Sequence, residues 1–184
     1  MNATRTKARS KEKIRLIAEK LLSEFSVARA PVPVEKIATS LGATVRYSPF
    51  EGELAGILVR GEDRVVIGVN SSHHSNRQRF TIAHECGHLV LHEGETYVDK
   101  AFRVNLRDDV SSMAIDPQEI EANRFAAELL MPYRMLVEDL QGQEIDLENE
   151  EALRPLAKKY GVSVQAMTHR VAHIMESWLN QRRR

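Results

Sequence analysis

The sequence predicts an α+β fold, mainly helical with a small antiparallel or mixed sheet, on three observations. Several segments place apolar residues at helical spacing between recognisable start and stop residues. Three short β-rich runs cluster between the second and third of those segments. An apolar share of 42% over 184 residues suffices for a real core, and 28% charged residues is ordinary for a globular chain.

In chain order, the polar start through about Arg9 reads as frayed. Ser10 opens an amphipathic helix with Ile14, Ile17, Leu21, Leu22 and Phe25 on its inner face. Ala28–Pro33 connects to a short helix carrying Val34, Ile37, Ala38 and Leu41, closed by Gly42. Thr44–Tyr47 alternates polar and apolar residues, and Leu54–Arg60 and Arg64–Val69 form a hairpin through Gly61-Glu62-Asp63. Ser75 or Asn76 caps the next helix. Glu93–Ile115 holds a strand near Tyr97–Val104 and is otherwise loop-like, either a flap over a cleft or a plain surface loop.

Asp116 caps the following helix, Pro117 suits its first position and Pro132 ends it. Tyr133–Leu140 is a short helix and Gln141–Glu150 a polar stretch. A short helix through Tyr160, a turn at Gly161 and a Ser163-capped helix with Val164, Met167, Val171, Ile174 and Trp178 complete the chain. We therefore expect a core over residues 1–140 with a helical pair, 141–184, packed on it. The pair has the outline of a DNA-reading helix-turn-helix, but two helices and the thin basic set His169, Arg170 and His173 favour packing.

Charge narrows the function classes. Lys+Arg and Asp+Glu balance at 26 each, so neither direct nucleic-acid binding nor membrane binding is expected. The single cysteine excludes an internal disulfide and fits a reducing cytoplasm. Residues 1–13 are basic but no apolar signal core follows, and no apolar run is long enough to span a bilayer. A soluble cytoplasmic protein is expected.

His84-Glu85-Cys86-Gly87-His88 carries the chemistry. On a helix, histidines four apart project from one face, so their ring nitrogens can converge on one zinc ion about 2.0–2.1 Å away. Glu85 follows the first histidine and can act as general base on water that the ion has acidified to a pKa of about 7. The helix is apolar on two faces, one with Phe80 and Leu91 and one with Ile82, Cys86 and Leu89, so it is read as buried. The plain alternative is a buried helix with hydrogen-bonded histidines. Gly87 costs roughly 1 kcal/mol against Ala in a helix, reasonable where a neighbouring backbone or substrate must come close.

Catalytic zinc usually holds three protein ligands. A third histidine six residues after His88 is missing, because that position is Gly94. His92 lies two turns past His84, about 12 Å along the axis, too far to share an ion. It is left to stand behind the ligands, to face substrate or simply to end the helix. Glu119 and Glu121 point about 200° apart, so only one can face the metal. Glu119 shares its face with Ala122, Asn123, Ala126 and Leu130, whereas Glu121 shares a solvated-looking face with Arg124 and Glu128. Glu119 is the choice, with a capping-box role for it as the alternative. Asn123, one turn on, is positioned to orient that carboxylate, or else to bond backbone as a core amide. His92, Tyr97 and Tyr133 are candidate donors to the oxyanion. Extended substrate is expected along an edge strand of the sheet.

These residues resemble the ImmA/IrrE metallo-endopeptidases. The likeness lies in Arg79-Phe-Thr-Ile-Ala-His-Glu-Cys-Gly-His-Leu-Val-Leu-His92 followed by Glu119-Ile-Glu-Ala-Asn-Arg-Phe-Ala-Ala-Glu-Leu-Leu-Met-Pro132, with weaker similarity at Pro31–Ala38. The resemblance implies a zincin-like core, zinc on His84, His88 and Glu119, catalysis by Glu85, and cleavage of a helix-turn-helix transcriptional repressor. Manganese is a possible substitute ion, since such sites accept several divalent metals. Cys86 departs from the aliphatic residue frequent at its place, but it points away from the metal face. The alternative function is a regulatory binding module with a peptidase-like metal site and little turnover.

Overall fold

A four-stranded sheet and seven helices follow one another as α1 (Lys11–Glu24), α2 (Val34–Ser40), β1 (Ala43–Ser48), β2 (Gly56–Arg60), β3 (Val65–Asn70), α3 (Ser75–Leu91), β4 (Thr96–Asp99), α4 (Pro117–Leu130), α5 (Tyr133–Leu140), α6 (Glu150–Tyr160) and α7 (Val164–Arg182). The computed structural model describes residues 8–52, 54–92, 96–99, 116–142, 147 and 149–182, and these counts refer to them. The α+β, mainly helical expectation holds. The flap or surface loop expected within Glu93–Ile115 lies outside the described residues except for β4.

Local signals account for most of the boundaries. Ser10 Oγ accepts from the Lys13 amide at 3.2 Å and starts α1. Gly42, at φ +83°, takes the left-handed turn after α2, and its amide donates to Thr39 O. Asp116 caps α4 through the Gln118 amide at 2.9 Å, with Pro117 at the first position. Gly161, at φ +65°, closes α6, and Ser163 Oγ accepts from the Ala166 amide at the start of α7.

The strand order is β1-β3-β2-β4, and the sheet is mixed. β2 and β3 form the expected antiparallel hairpin, β1 lies parallel to β3, and β4 lies antiparallel to β2 with Leu58 opposite Tyr97. β2 thus has a partner on both sides, and among the described residues the sheet edges are β1 and β4. Helix α3 packs on β2 and β3 with one side and on α4 with another. Residues 81–88 along it are all buried, as its two apolar faces predicted.

A single apolar cluster joins residues of α1, the sheet, α3, α4, α6 and α7. Arg79 on α3 donates to Gly161 O at 3.2 Å and to Val32 O at 2.9 Å, and Asn76 Nδ2 donates to Val162 O at 2.9 Å. Arg170 on α7 pairs through both terminal nitrogens with Glu128 on α4 and donates to Met131 O. One member of the thin basic set is therefore buried in the fold, not offered to nucleic acid.

Two expectations are corrected here. Arg9 is not frayed: its amide and its guanidinium both donate to Glu121 on α4. Glu121 and Glu128 are not solvated but 6% and 7% exposed. Each is held by a cation, Arg9 and Arg170, that arrives from far along the chain, and pairing is what lets a carboxylate stay buried.

Candidate metal centre

Helix α3 begins one or two residues earlier than expected. Its cap is His74, whose Nδ1 accepts from the Asn76 amide at 3.2 Å in the manner of an Asn or Asp side chain. At the other end Arg60 of β2 donates to His88 O at 2.8 Å and His92 O at 2.9 Å, fixing sheet to helix beside the motif. Gly87 answers to a neighbouring backbone: a Cβ there would lie 3.0 Å from Ala122 Cα and 3.1 Å from Ala122 O. The absent side chain lets α4 come down against α3, and this brings Glu119 to the histidines.

The three residues expected as ligands converge. His84 Nε2 and His88 Nε2 are 3.0 Å apart, and the Glu119 carboxylate spans them, Oε2 lying 3.2 Å from His84 Nε2 and Oε1 3.2 Å from His88 Nε2. They form the one cluster of potential metal donors among the described residues. Tetrahedral ligands with bonds of 2.0–2.1 Å stand about 3.3 Å apart, so the triangle has the size a zinc-type ion requires. Glu119 is turned to the imidazoles and not back to its cap.

Hydrogen bonding behind the triangle fixes its electronic character. Asn123 Oδ1 lies 2.8 Å from His84 Nδ1, and an amide oxygen only accepts, so the His84 proton sits on Nδ1 and the Nε2 lone pair faces inward. Asn123 thus orients a histidine, not the Glu119 carboxylate expected for it. The glutamate and the asparagine lie four apart on α4 and address different atoms of one site. His88 Nδ1 lies 3.1 Å from His92 Nδ1, and His92 Nε2 lies 3.2 Å from Glu121 Oε2. An inward lone pair on His84 facing a carboxylate is a donor set that suits a divalent cation.

Glu85 is fully buried on the α3 side that meets β2. A Cβ at Gly56 would lie 3.1 Å from Glu85 Oε1 and 2.2 Å from Thr81 Cγ2, so β2 passes directly over the carboxylate. Of the other expected site residues, His92 and Tyr133 are engaged elsewhere. Both ring nitrogens of His92 are engaged behind His88, which removes it as an oxyanion donor. Tyr133 accepts from Trp178 Nε1 at 3.1 Å and carries Arg15 over its ring, tying α5 to α7 and α1. Tyr97 lies on β4, and its side chain is outside the described residues. Cys86 is buried in the core, and burial, with Glu85 adding, pushes its thiol up to about 12. Arg9 was not anticipated near the site, and Glu121, weighed as a ligand and set aside as solvated, was not expected to meet His92.

Fold and site define an α+β protein with a histidine pair on one helix and a carboxylate on a second, a group that could hold a metal ion. Residues 38–172, most of the chain, match the Peptidase M78 family, described as the IrrE N-terminal-like domain, and the chain belongs to that family of peptidases. No curated protein matches it. Among solved structures it is similar to a Mycobacterium tuberculosis transcriptional regulator, with a TM-score of 0.55 and 17% identity over 87% of this chain. The chain spans about half of that protein, 47% of its length, and at such identity the likeness speaks for the fold alone.

Proposed function

We propose that this chain is a zinc-dependent endopeptidase that hydrolyses a peptide bond in a protein substrate, a cytoplasmic helix-turn-helix transcriptional repressor. The observation that carries the reading is the convergence of His84 Nε2, His88 Nε2 and the Glu119 carboxylate, with Glu85 adjacent to His84 on the same helix. Family membership supports peptidase chemistry. A single buried cysteine suits a reducing compartment. No helix among the described residues is long and apolar enough to cross a membrane.

His84, His88 and Glu119 would hold the ion, and manganese is the alternative to zinc that this donor set accepts. When bound, the ion supplies Lewis-acid polarisation of the scissile carbonyl and makes a water molecule easier to deprotonate. Glu85, at zero exposure under β2, takes that proton as the water attacks and returns it to the leaving amine. The surrounding burial excludes bulk water from the proton's path and strengthens the charge interactions that guide it. We place the extended substrate along β4, the sheet edge beyond β2, and take Tyr97 on that strand as the candidate oxyanion donor.

The test is incubation of the protein with helix-turn-helix repressors encoded by neighbouring genes, with and without chelator, read by mass. Cleavage that stops with chelator and falls by orders of magnitude in Glu85→Gln, while zinc stays bound, supports the proposal. If repressor control persists undiminished in Glu85→Gln, the chain acts as a binding module.

A further inference from the structure

On the far side of His88 from Glu119 runs a second line of contacts that peptide hydrolysis does not use. His88 Nδ1 meets His92 Nδ1 at 3.1 Å, and His92 Nε2 meets Glu121 Oε2 at 3.2 Å. Glu121 in turn accepts from the Arg9 amide at 2.5 Å and from Arg9 Nη1 at 2.8 Å. The line crosses from α3 to α4 and ends on the segment that leads into α1, 112 residues before Glu121. His92 and Glu121 are both 6% exposed, so water does not compete for these contacts.

With neutral imidazoles these contacts permit one ordering of protons. An ionised Glu121 held by Arg9 only accepts, so the His92 proton lies on Nε2. His92 Nδ1 is then a lone pair, which requires the proton of the facing His88 nitrogen to lie on Nδ1. His88 Nε2 is left as a lone pair directed at His84 and Glu119, the form in which imidazole binds a cation. Each link fixes the next, and the first link is a residue outside the helices that carry the ligands.

We propose that Arg9, Glu121 and His92 are positioning residues that set the tautomer and ring direction of His88, coupling the segment ahead of α1 to cation binding. The inference rests on reading the triangle as a metal centre. Coupling is reciprocal, so cation binding must also hold Arg9 more firmly against α4.

The experiment compares wild type, His92→Ala and Arg9→Ala. Zinc affinity is measured by competition with a chromophoric chelator, the visible spectrum of the cobalt-loaded protein is recorded, and the melting temperature of the metal-free form is taken. His92→Ala should weaken zinc about 10–100-fold and shift the cobalt bands, with a smaller loss of about three- to tenfold for Arg9→Ala. The wild type should also be cut more slowly by trypsin after Arg9 when zinc-loaded than when chelated, a readout that does not depend on any variant folding. Affinities within twofold of wild type in both variants, unchanged cobalt bands and equal trypsin rates would overturn the relay while leaving the metal centre intact. A wild type that binds no zinc would remove the metal centre and the relay together.

Discussion

Gly87 sets how closely the two ligand-bearing helices approach. Replacing it with Ala gains up to about 1 kcal/mol of helix propensity. Against this, the new methyl would stand 3.0–3.1 Å from Ala122 backbone atoms and 3.2 Å from the Phe125 ring. Backbone cannot rotate aside, and overpacking of this kind costs about 1–3 kcal/mol. Gly87→Ala should therefore leave stability unchanged or lowered by up to about 2 kcal/mol in denaturant unfolding. It should also weaken zinc binding in a chelator titration, because Glu119 rides on the helix that is pushed away. Zinc binding equal to wild type would sink the argument. The sequence made the demand for glycine visible, together with the ligand triangle, because four-residue spacing on a helix is a local rule. The partner of Asn123 was not visible in the same way. Whether its amide meets Glu119 or His84 depends on the rotation of α4 against α3, which no local rule supplies.

Among the elements, α7 is tied to α4 by a buried ion pair, Arg170 with Glu128, and by the Arg170 bond to Met131 O. Arg170→Met leaves a buried carboxylate without its cation and should cost about 3–5 kcal/mol. The double variant Glu128→Leu with Arg170→Met removes both charges and should recover most of that loss. Chemical unfolding of the two proteins checks this, and equal destabilisation would show that packing, not charge burial, is what was lost. Such a pair is hard to read in advance: 42 residues separate its members, and each alone looks like a surface charge. Element boundaries were easier, since Asp116, Pro117 and Pro132 act locally on α4. The β4 strand was legible as a strand but not as the cover of β2, because pairing is settled by tertiary packing. Likewise His74 hid as a cap because histidine seldom takes that place.

At the scale of the molecule, His84 and His88 come from α3 and Glu119 from α4, so a bound cation would hold the two helices together. Zinc at 1,000 times its dissociation constant should raise stability by about 4 kcal/mol, and Glu119→Ala should abolish most of the gain in thermal melts with and without chelator. Acid stability depends on another tie between elements. Asp139 on α5 accepts from Lys159 at 2.5 Å and from the Tyr160 hydroxyl at 2.7 Å, both on α6. Burial opposes ionisation of Asp139, but these two donors outweigh it and hold its carboxyl below the usual value. A carboxyl whose folded pKa is depressed stabilises the fold fully above its unfolded value of about 3.9. That contribution is lost as pH falls through the lower, folded value. Asp139→Asn should therefore be less stable than wild type by a constant amount near neutral pH, and the gap should close as the solution is acidified below about pH 4. Melting curves of the two metal-free proteins measure this directly, since every other carboxylate is common to both and cancels in the difference. In a Lys159→Met background the gap near neutral pH should be smaller, because that change removes the first of the two donors that lower the Asp139 pKa. A gap that persists unchanged into strong acid would mean that Asp139 contributes shape alone and that its charge does not help to hold α5 to α6.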